Sequence, residues 1–268
     1  MAVKLLVVGG GKMGSALVAG LIRRHWADPH ELGVVEPVPE RRAALAVQHQ
    51  GLIVVEAPEP GLVAEGGGAV LAVKQDVADS ACRALGSAGV TRIISIVAGL
   101  TTVRLESALP DGTTVIRAMP NTPALVGAGA TAMSGGSHAR AADLDWADQV
   151  LSAVGVVVRL PERHLDAVTA LSGSGPAYFY LVAEALIEAG VHAGLPREIS
   201  RTLVVETFFG SAKLLAETGE EPEVLRAAVT SPGGTTAAGI RALEARAVRS
   251  AFFEAVASAT ERSRNLGR

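Results

Sequence analysis

The chain has 268 residues, a net charge of −3, and 19% charged against 49% hydrophobic residues. Its length suits two domains, and its single cysteine, Cys82, excludes an internal disulfide and a CxxC metal site. The charge balance gives no indication of a nucleic-acid or anionic-membrane surface, and the long uncharged stretches contain prolines and glycines that would break a membrane helix. We expect a cytoplasmic protein without a metal site, and the low charged fraction points to large subunit interfaces or a large core.

Over the first 160 residues, short apolar runs alternate with helical stretches, which is typical of a doubly wound α/β domain. The predicted strands are rich in Val and Ile and continuous, as in a parallel sheet that is covered on both faces. We predict strands at residues 3–8, 32–36, 69–73, 92–97, 113–117 and 156–160. We predict helices between them at residues 14–24, 39–48, 77–85 and 144–154.

The character of the sequence changes after about residue 162, where Ala, Leu and Glu replace the strand pattern. Apolar residues from Ala177 to Ala189 recur at helical spacing, and Pro196 suits the first turn of a second helix that runs to about Glu217. Further helices are predicted at residues 223–228, 235–244 and 247–264. The predicted fold class is therefore α/β, with a Rossmann-type doubly wound sheet in residues 1–162 and an all-helical domain in residues 163–268.

The first predicted strand runs directly into GGGKMG, a GxGxxG motif that opens a helix. In such a motif Gly9 allows the tight turn, Gly11 lets the backbone approach a pyrophosphate, and Gly14 permits close packing of helix on strand. Free N–H groups at the helix start would bind the phosphates. We predict dinucleotide binding here rather than a purely structural turn, with Lys12 and Met13 completing the loop.

Cofactor preference depends on the end of the second strand. Glu36 lies where an acidic residue accepts hydrogen bonds from the ribose hydroxyls of NAD and repels the 2′-phosphate of NADP. Arg41 and Arg42 follow it and are candidates to pair with that phosphate, or else form a solvated helix face. The two indications conflict, so the cofactor is expected to be NADPH or NADH.

Two serine- and glycine-rich loops mark the second domain. SGSGPAY, from Ser172 to Tyr178, precedes the longest predicted helix, and TSPGGTT, from Thr230 to Thr236, precedes a shorter one. Free N–H groups and hydroxyls at a helix start bind carboxylates, although the same residues also serve as helix caps. Beside a dinucleotide fold, two such loops favour a small acidic substrate.

Several segments resemble pyrroline-5-carboxylate reductase motifs and occur in that family's order over nearly the whole chain: GGGKMG, AVK, SIVAG, RAMPNTPALVGAG, SGSGPAYFY and VTSPGGTTAAGIRALE. The resemblance implies an enzyme that reduces 1-pyrroline-5-carboxylate to L-proline with NAD(P)H, the final step of proline biosynthesis. It also implies a helical dimerisation domain and a homo-oligomer, either a dimer or a pentamer of dimers. Gln75 departs from the pattern, because the family usually has proline after AVK, and this change is expected to loosen the cofactor loop.

The resemblance also implies residue roles. Glu36 is expected to contact the cofactor because of its position after the second strand. The other cofactor contacts would be Gly9, Gly11, Lys12, Met13, Gly14, Val73, Lys74, Gln75, Ala98 and Gly99. The substrate contacts would be Ser172, Ser174, Gly175, Ser231, Gly233, Gly234, Thr235 and Thr236. Thr236 is the expected catalytic residue, with its hydroxyl facing the ring nitrogen.

The implied reaction needs little chemical help from the protein, because a protonated cyclic imine is already electrophilic. Catalysis would consist mainly of placing the imine and the cofactor next to each other. This agrees with six histidines that all lie outside the motifs. One alternative is a β-hydroxyacid dehydrogenase, which would need a proton-transferring lysine on the long helix, but residues 177–195 contain neither lysine nor asparagine. Another is a non-enzymatic dinucleotide sensor, which would have no use for two substrate-type loops.

Overall fold

A computed structural model describes residues 2–266. The chain forms two compact units. One consists of the residues up to Ser174 together with those from Ala257 onward, and the other is Gly175–Val256. Each unit is described by itself.

The first unit is built on an eight-stranded sheet in the order β3-β2-β1-β4-β5-β6-β7-β8. Neighbouring strands are parallel, except that β6 and β7 are antiparallel. The strands are β1 (Val3–Val8), β2 (Leu32–Val35), β3 (Ile53–Val55), β4 (Val63–Leu71), β5 (Arg92–Ser95), β6 (Thr114–Met119), β7 (Gly129–Gly135) and β8 (Gly155–Arg159).

Apolar side chains project from both faces of the central strands. Along β1, Leu5 and Val7 enter one buried cluster, while Leu6 and Val8 enter the other. This is the pattern of a parallel sheet between two helical layers, because successive side chains of a strand point to opposite faces. The helices of this part are α1 (Lys12–Arg23), α2 (Pro39–Gln48), α3 (Gln75–Ser87), α4 (Thr102–Ser107), α5 (Ala141–Leu151) and α6 (Leu165–Val168). A π-turn follows at Thr169–Gly173.

The remaining helices are α7 (Gly175–His192), α8 (Arg197–Thr218), α9 (Pro222–Ala228), α10 (Thr235–Glu244) and α11 (Val248–Leu266). The first two pack on each other: the Ser200 hydroxyl donates to the Ile187 carbonyl oxygen at 2.9 Å. A side chain at Gly190 would collide with Ser200, so the glycine permits this close approach. None of the helices in the described part of the chain is long and apolar enough to span a bilayer.

The predicted fold class is confirmed, but four elements were not predicted from the sequence: β3, α4, α6 and β7. β7 is composed of small residues, GATAMSG, without the β-branched run that marks a strand. β4 also begins six residues before its predicted start, at Val63 rather than residue 69. Its glycines hide the strand pattern, and Gly68 is required because a Cβ there would lie 2.6 Å from the Trp146 ring.

Candidate active site

The loop between β1 and α1 can be formed only with glycine at particular positions. Gly9 has φ +110°, and a Cβ there would lie 2.5 Å from the Ala72 carbonyl oxygen. A Cβ at Gly14 would overlap the carbonyl oxygen of Gly9. At Gly11, in contrast, no atom lies within 4 Å of the ideal Cβ position. Two of these glycines are therefore required by the fold, whereas Gly11 leaves space for something that is not part of the chain.

The start of α1 is suited to an anion. Its N-cap is Gly11, and no side chain caps it, so the first N–H groups lack intrahelical partners and carry the positive end of the helix dipole. A cavity of about 550 Å³ opens beside them. It is lined by Gly10, Gly11, Lys12, Ser15, Ala16, Ala19, Arg41, Gln48 and Leu125.

Glu36 holds the glycine loop in place. Its side chain is buried, and its two carboxylate oxygens accept the N–H groups of Gly10 at 3.2 Å and Val38 at 3.0 Å. Arg42 donates to the carbonyl oxygens of Glu36 and Pro37, both at 2.8 Å. Arg41 is mostly exposed and lines the cavity beside the start of α1. Of the two arginines, Arg41 is the one that faces the cavity, and the ribose contact expected of Glu36 remains a prediction.

A second cavity, of about 270 Å³, gathers the carboxyl ends of several strands. Ligands of doubly wound folds bind at this edge of the sheet. The lining is mainly apolar and comes from Met13, Ala72, Val73, Ile96, Met119, Pro120, Asn121, Thr122 and Gly173. Such a wall suits a flat, weakly polar ring.

Two of the predicted cofactor residues, Met13 and Val73, lie in this wall, whereas the others after the glycine loop do not. Lys74 is exposed at the N-cap of α3. Gln75 donates its side-chain N–H to the carbonyl oxygen of Leu266 at 2.6 Å, in the last turn of α11. Ala98 is exposed, and Gly99 is buried with φ +79°, a conformation that favours glycine.

Asn121 lies in the same wall and links two backbone segments. Its amide nitrogen donates to the carbonyl oxygen of Ser172 at 3.1 Å, and its amide oxygen accepts the N–H of Ala130 at 2.9 Å. Ser172 and Ser174 therefore belong to a turn that is attached to the cavity wall. Both hydrogen bonds of the Asn121 side chain are therefore made to the backbone.

An ion-pair network around a buried arginine holds the chain just before this turn. Arg117 is 4% exposed and pairs with Glu162 at 3.2 Å and Asp166 at 3.3 Å. Glu162 also accepts the N–H and hydroxyl of Thr102, both at 2.7 Å, and Asp166 accepts the Ser263 hydroxyl at 2.9 Å. Burial is tolerated because each charge is paired and hydrogen-bonded. The sequence alone did not indicate this network, because the two residues of each bonded pair are 45 or more residues apart.

In the helical unit, the predicted substrate loop forms the entry to α10. Gly233 has φ +72°, and the N–H of Gly234 donates to the Ser231 carbonyl oxygen at 3.1 Å, which closes a tight turn. Gly234 is the N-cap, and no side chain caps the helix. Thr235 and Thr236 therefore occupy the first turn, where N–H groups have no intrahelical acceptor. Gly175, which belongs to the other predicted loop, is buried at the start of α7.

The glycine loop, the open helix start and the cavity at the carboxyl edge define the class of protein: a dinucleotide-binding α/β fold with a helical C-terminal region. Comparison with known families narrows this class. A family model described as pyrroline-5-carboxylate reductase dimerisation matches residues 162–266, and one described as NADP oxidoreductase, coenzyme F420-dependent, matches residues 4–99.

Individual relatives agree with these models. The chain is 44% identical to a pyrroline-5-carboxylate reductase of Synechocystis sp., with 100% of both chains covered. A solved pyrroline-5-carboxylate reductase from Coxiella burnetii has TM-score 0.91 and 33% identity over 100% of both chains. A Plasmodium falciparum pyrroline carboxylate reductase with NADP bound has TM-score 0.86 and 31% identity, over 99% of this chain and 98% of that chain. The chain belongs to the pyrroline-5-carboxylate reductase family.

Proposed function

We propose that this protein reduces 1-pyrroline-5-carboxylate to L-proline with NADPH or NADH, the last step of proline biosynthesis. The observation that carries the proposal is the cavity at the carboxyl edge of the sheet, whose apolar wall adjoins a glycine loop with open space at Gly11. Family membership selects the reaction among those that such a cavity can serve.

The residues present fit a dinucleotide. An added side chain at Gly11 would enter space that contains no protein atom, and the uncapped start of α1 offers N–H groups to a pyrophosphate. Lys12 and Arg41 add positive charge beside these N–H groups. When bound, the reduced nicotinamide supplies the hydride. The protein's part is to bind the diphosphate through the glycine loop and to hold the ring against Met13 and Val73.

Lys74, Gln75, Ala98, Gly99 and Glu36 complete the proposed cofactor set. None of them lines the smaller cavity. They follow the ends of β2, β4 and β5 in the chain. We propose that they act mainly by fixing those ends, because a shift of the strand ends would displace the cavity wall.

For the substrate, we propose that N–H groups of Gly233, Gly234 and Thr235 bind the carboxylate, since an uncapped helix start attracts an anion. The hydroxyl of Thr236 would accept the N–H of the protonated ring nitrogen and so orient the imine carbon. Ser172, Ser174, Gly175 and Ser231 complete the proposed set of substrate residues.

The apolar helices support a homo-oligomer formed through residues 163–268, with a dimer as the smallest assembly and a pentamer of dimers as a larger form. We propose that the functional division lies at residues 162 and 163, so that residues 1–162 bind the cofactor. The proposed site of action is the cytoplasm.

The test is NADPH and NADH oxidation by the purified protein on addition of racemic pyrroline-5-carboxylate, with proline measured as the product. We expect both signals with at least one cofactor. Cofactor binding without oxidation would favour the dinucleotide sensor, and oxidation of 3-hydroxy acids by NAD(P)⁺ without proline formation would favour the hydroxyacid dehydrogenase. Either result, in folded protein, would overturn the proposal.

A further inference from the structure

We propose that Asn121 is a positioning residue that fixes the π-turn Thr169–Gly173 against the wall of the smaller cavity. The proposal rests on the proposed function, because that function places the nicotinamide in the smaller cavity. Asn121 would set the distance between Ser172 in the turn and this cavity. Asn121 would act through Ser172 rather than by touching the substrate.

The two bonds of the Asn121 amide require opposite chemistry. Its oxygen faces the N–H of Ala130 in β7, and its nitrogen faces the carbonyl oxygen of Ser172. A backbone N–H can only donate and a carbonyl can only accept, so the amide has one orientation that satisfies both. The side chain therefore acts as a rigid link of defined length between the sheet and the turn.

The carbonyl of Ser172 needs this donor because of the local sequence. In an α-helix it would accept the N–H four residues later, but that residue is Pro176, which has no N–H. The chain has instead formed a π-turn, with the N–H of Ser174 donating to the Thr169 carbonyl oxygen at 2.8 Å. Single π-turns of this kind are frequent at functional sites. Asn121 supplies the donor that proline removes.

The turn packs tightly where Asn121 holds it. A Cβ at Gly173 would lie 2.7 Å from the terminal methyl of Met119, which also lines the cavity. The ion pairs of Arg117 hold the chain at Glu162 and Asp166, which precede the turn in sequence. Loss of the Asn121 link would therefore free the later part of the turn while its beginning stays attached.

The substitution Asn121→Asp separates the two halves of the link. An aspartate keeps an oxygen for the N–H of Ala130 but places a carboxylate against the Ser172 carbonyl, which it cannot serve as a donor. The matched control is Asn265→Asp, which makes the same chemical change at an exposed position of α11. If Asn121→Asp does not fold, Asn121→Ser gives the comparison without a charge, because its hydroxyl is too short to link both groups.

Two measurements test the proposal. Hydrogen exchange of the amides at residues 169–175 is expected to quicken in Asn121→Asp and to stay unchanged in Asn265→Asp. The kcat for proline formation is expected to fall by roughly 10- to 100-fold, because small misplacements of reactants cost about that much. The Kd for NADPH is expected to remain within about twofold, since the glycine loop proposed to bind the diphosphate is unchanged.

Unchanged exchange at residues 169–175 would overturn the proposal, and so would faster exchange with an unchanged kcat. A parallel loss of NADPH affinity would also overturn it, by making Asn121 a cofactor ligand. If the unsubstituted protein forms no proline, the proposed function fails, and the exchange measurement still decides whether Asn121 holds the turn.

Discussion

The two units of this chain bury their apolar residues very differently. The strands of the α/β unit have almost no exposure in their central positions: Leu5, Leu6, Ile93 and Ile94 are all 0% exposed. Within Gly175–Val256, the buried residues are Gly175 and Ser200. Large side chains there stay exposed, among them Phe179, Leu203, Phe209 and Phe253. One unit completes its core within a single chain, and the other does not.

This difference shows where the protein depends on other copies of itself. An exposed apolar surface of this extent is unfavourable in water and marks an interaction surface. The family model that covers these helices is described as a dimerisation region. Substitutions at exposed apolar positions should therefore have different consequences in the two units. In the α/β unit the effect should stay local, and in the helical unit it should disturb assembly.

The largest effect is expected from Phe209→Glu. Phe209 lies in α8 and is 65% exposed in the single chain. In a two-fold interface the substitution is present on both sides. Each lost phenylalanine removes about 1.5–3 kcal/mol of the free energy gained by burying its side chain, and a charge is placed in an apolar contact. We expect the particle mass from light scattering at micromolar concentration to fall to that of the 27.3 kDa chain, with activity lost.

The control is Val103→Glu, which puts the same charge on an equally exposed apolar position, 72% exposed, in α4 of the α/β unit. We expect it to keep the mass of the unsubstituted protein. A monomeric mass for the unsubstituted protein, or equal masses for both variants, would contradict the comparison between the units.

Gly11→Val is expected to have the next largest effect, confined to the α/β unit. Because no protein atom lies within 4 Å of the added Cβ, the thermal midpoint should change little. The side chain would obstruct the pyrophosphate, and overpacking of up to about 3 kcal/mol corresponds to roughly a 100-fold loss of dinucleotide affinity. Gly14→Ala is the contrasting variant, since its Cβ would meet the Gly9 carbonyl and lower stability. An unchanged NADPH titration for Gly11→Val would refute this placement of the cofactor.

These positions also show how far the sequence could predict the molecule. The glycine loop was located to the residue, because a strand followed by GxGxxG has a defined geometry, and Val3–Val8 and Pro39–Gln48 were predicted with their observed bounds. β7 escaped prediction because its small residues form a strand only through pairing with β6 and β8. Local pattern predicts elements whose periodicity is strong, and tertiary pairing determines the others.

The candidate site divides in the same way. Sequence motifs located the loops of the candidate site. The side-chain hydrogen bonds that connect distant segments could not be predicted, because they form only when the folded chain brings those segments together. The link between Asn121 and Ser172 spans 51 residues of sequence, and the link between Asp166 and Ser263 spans 97. Spacing alone could not predict that Glu36 would be buried with its oxygens bound to the backbone, because that depends on how the glycine loop packs over it.

Thr236→Ala tests the helical unit's chemistry rather than its assembly. A hydrogen bond to a charged group contributes about 1.5–3 kcal/mol, so kcat/KM is expected to fall by roughly 10- to 100-fold. Cofactor affinity and particle mass should not change. If Thr236 were only a helix cap, the variant would instead lose about 1 kcal/mol of stability and keep its activity. The N-cap of α10 is Gly234, without a side-chain cap, which favours the first outcome. Steady-state kinetics and a thermal melt of the same variant distinguish them.

The smallest effect is expected at Gln75, where this chain departs from the proline usual in its family. Gln75 is the first residue of α3, and Lys74 before it is extended with ψ 156°, so proline would fit the backbone without strain. Gln75→Pro would lose the bond to Leu266, which contributes about 0.5–1.5 kcal/mol, and would gain about 0.4–1 kcal/mol from a stiffer unfolded chain.

The two contributions nearly cancel, so the melting temperature of Gln75→Pro should barely move and NADPH affinity should change by less than about threefold. The local result should be larger: hydrogen exchange in the last turn of α11 should quicken, because a helix end without a partner for its carbonyls frays. Gln75→Ala removes the same bond without adding proline, and it should quicken exchange equally while lowering stability slightly. If neither variant changes exchange in that turn, the contact does not hold the end of α11 in solution, and the α/β unit keeps its cofactor loop in place without help from the chain's last helix.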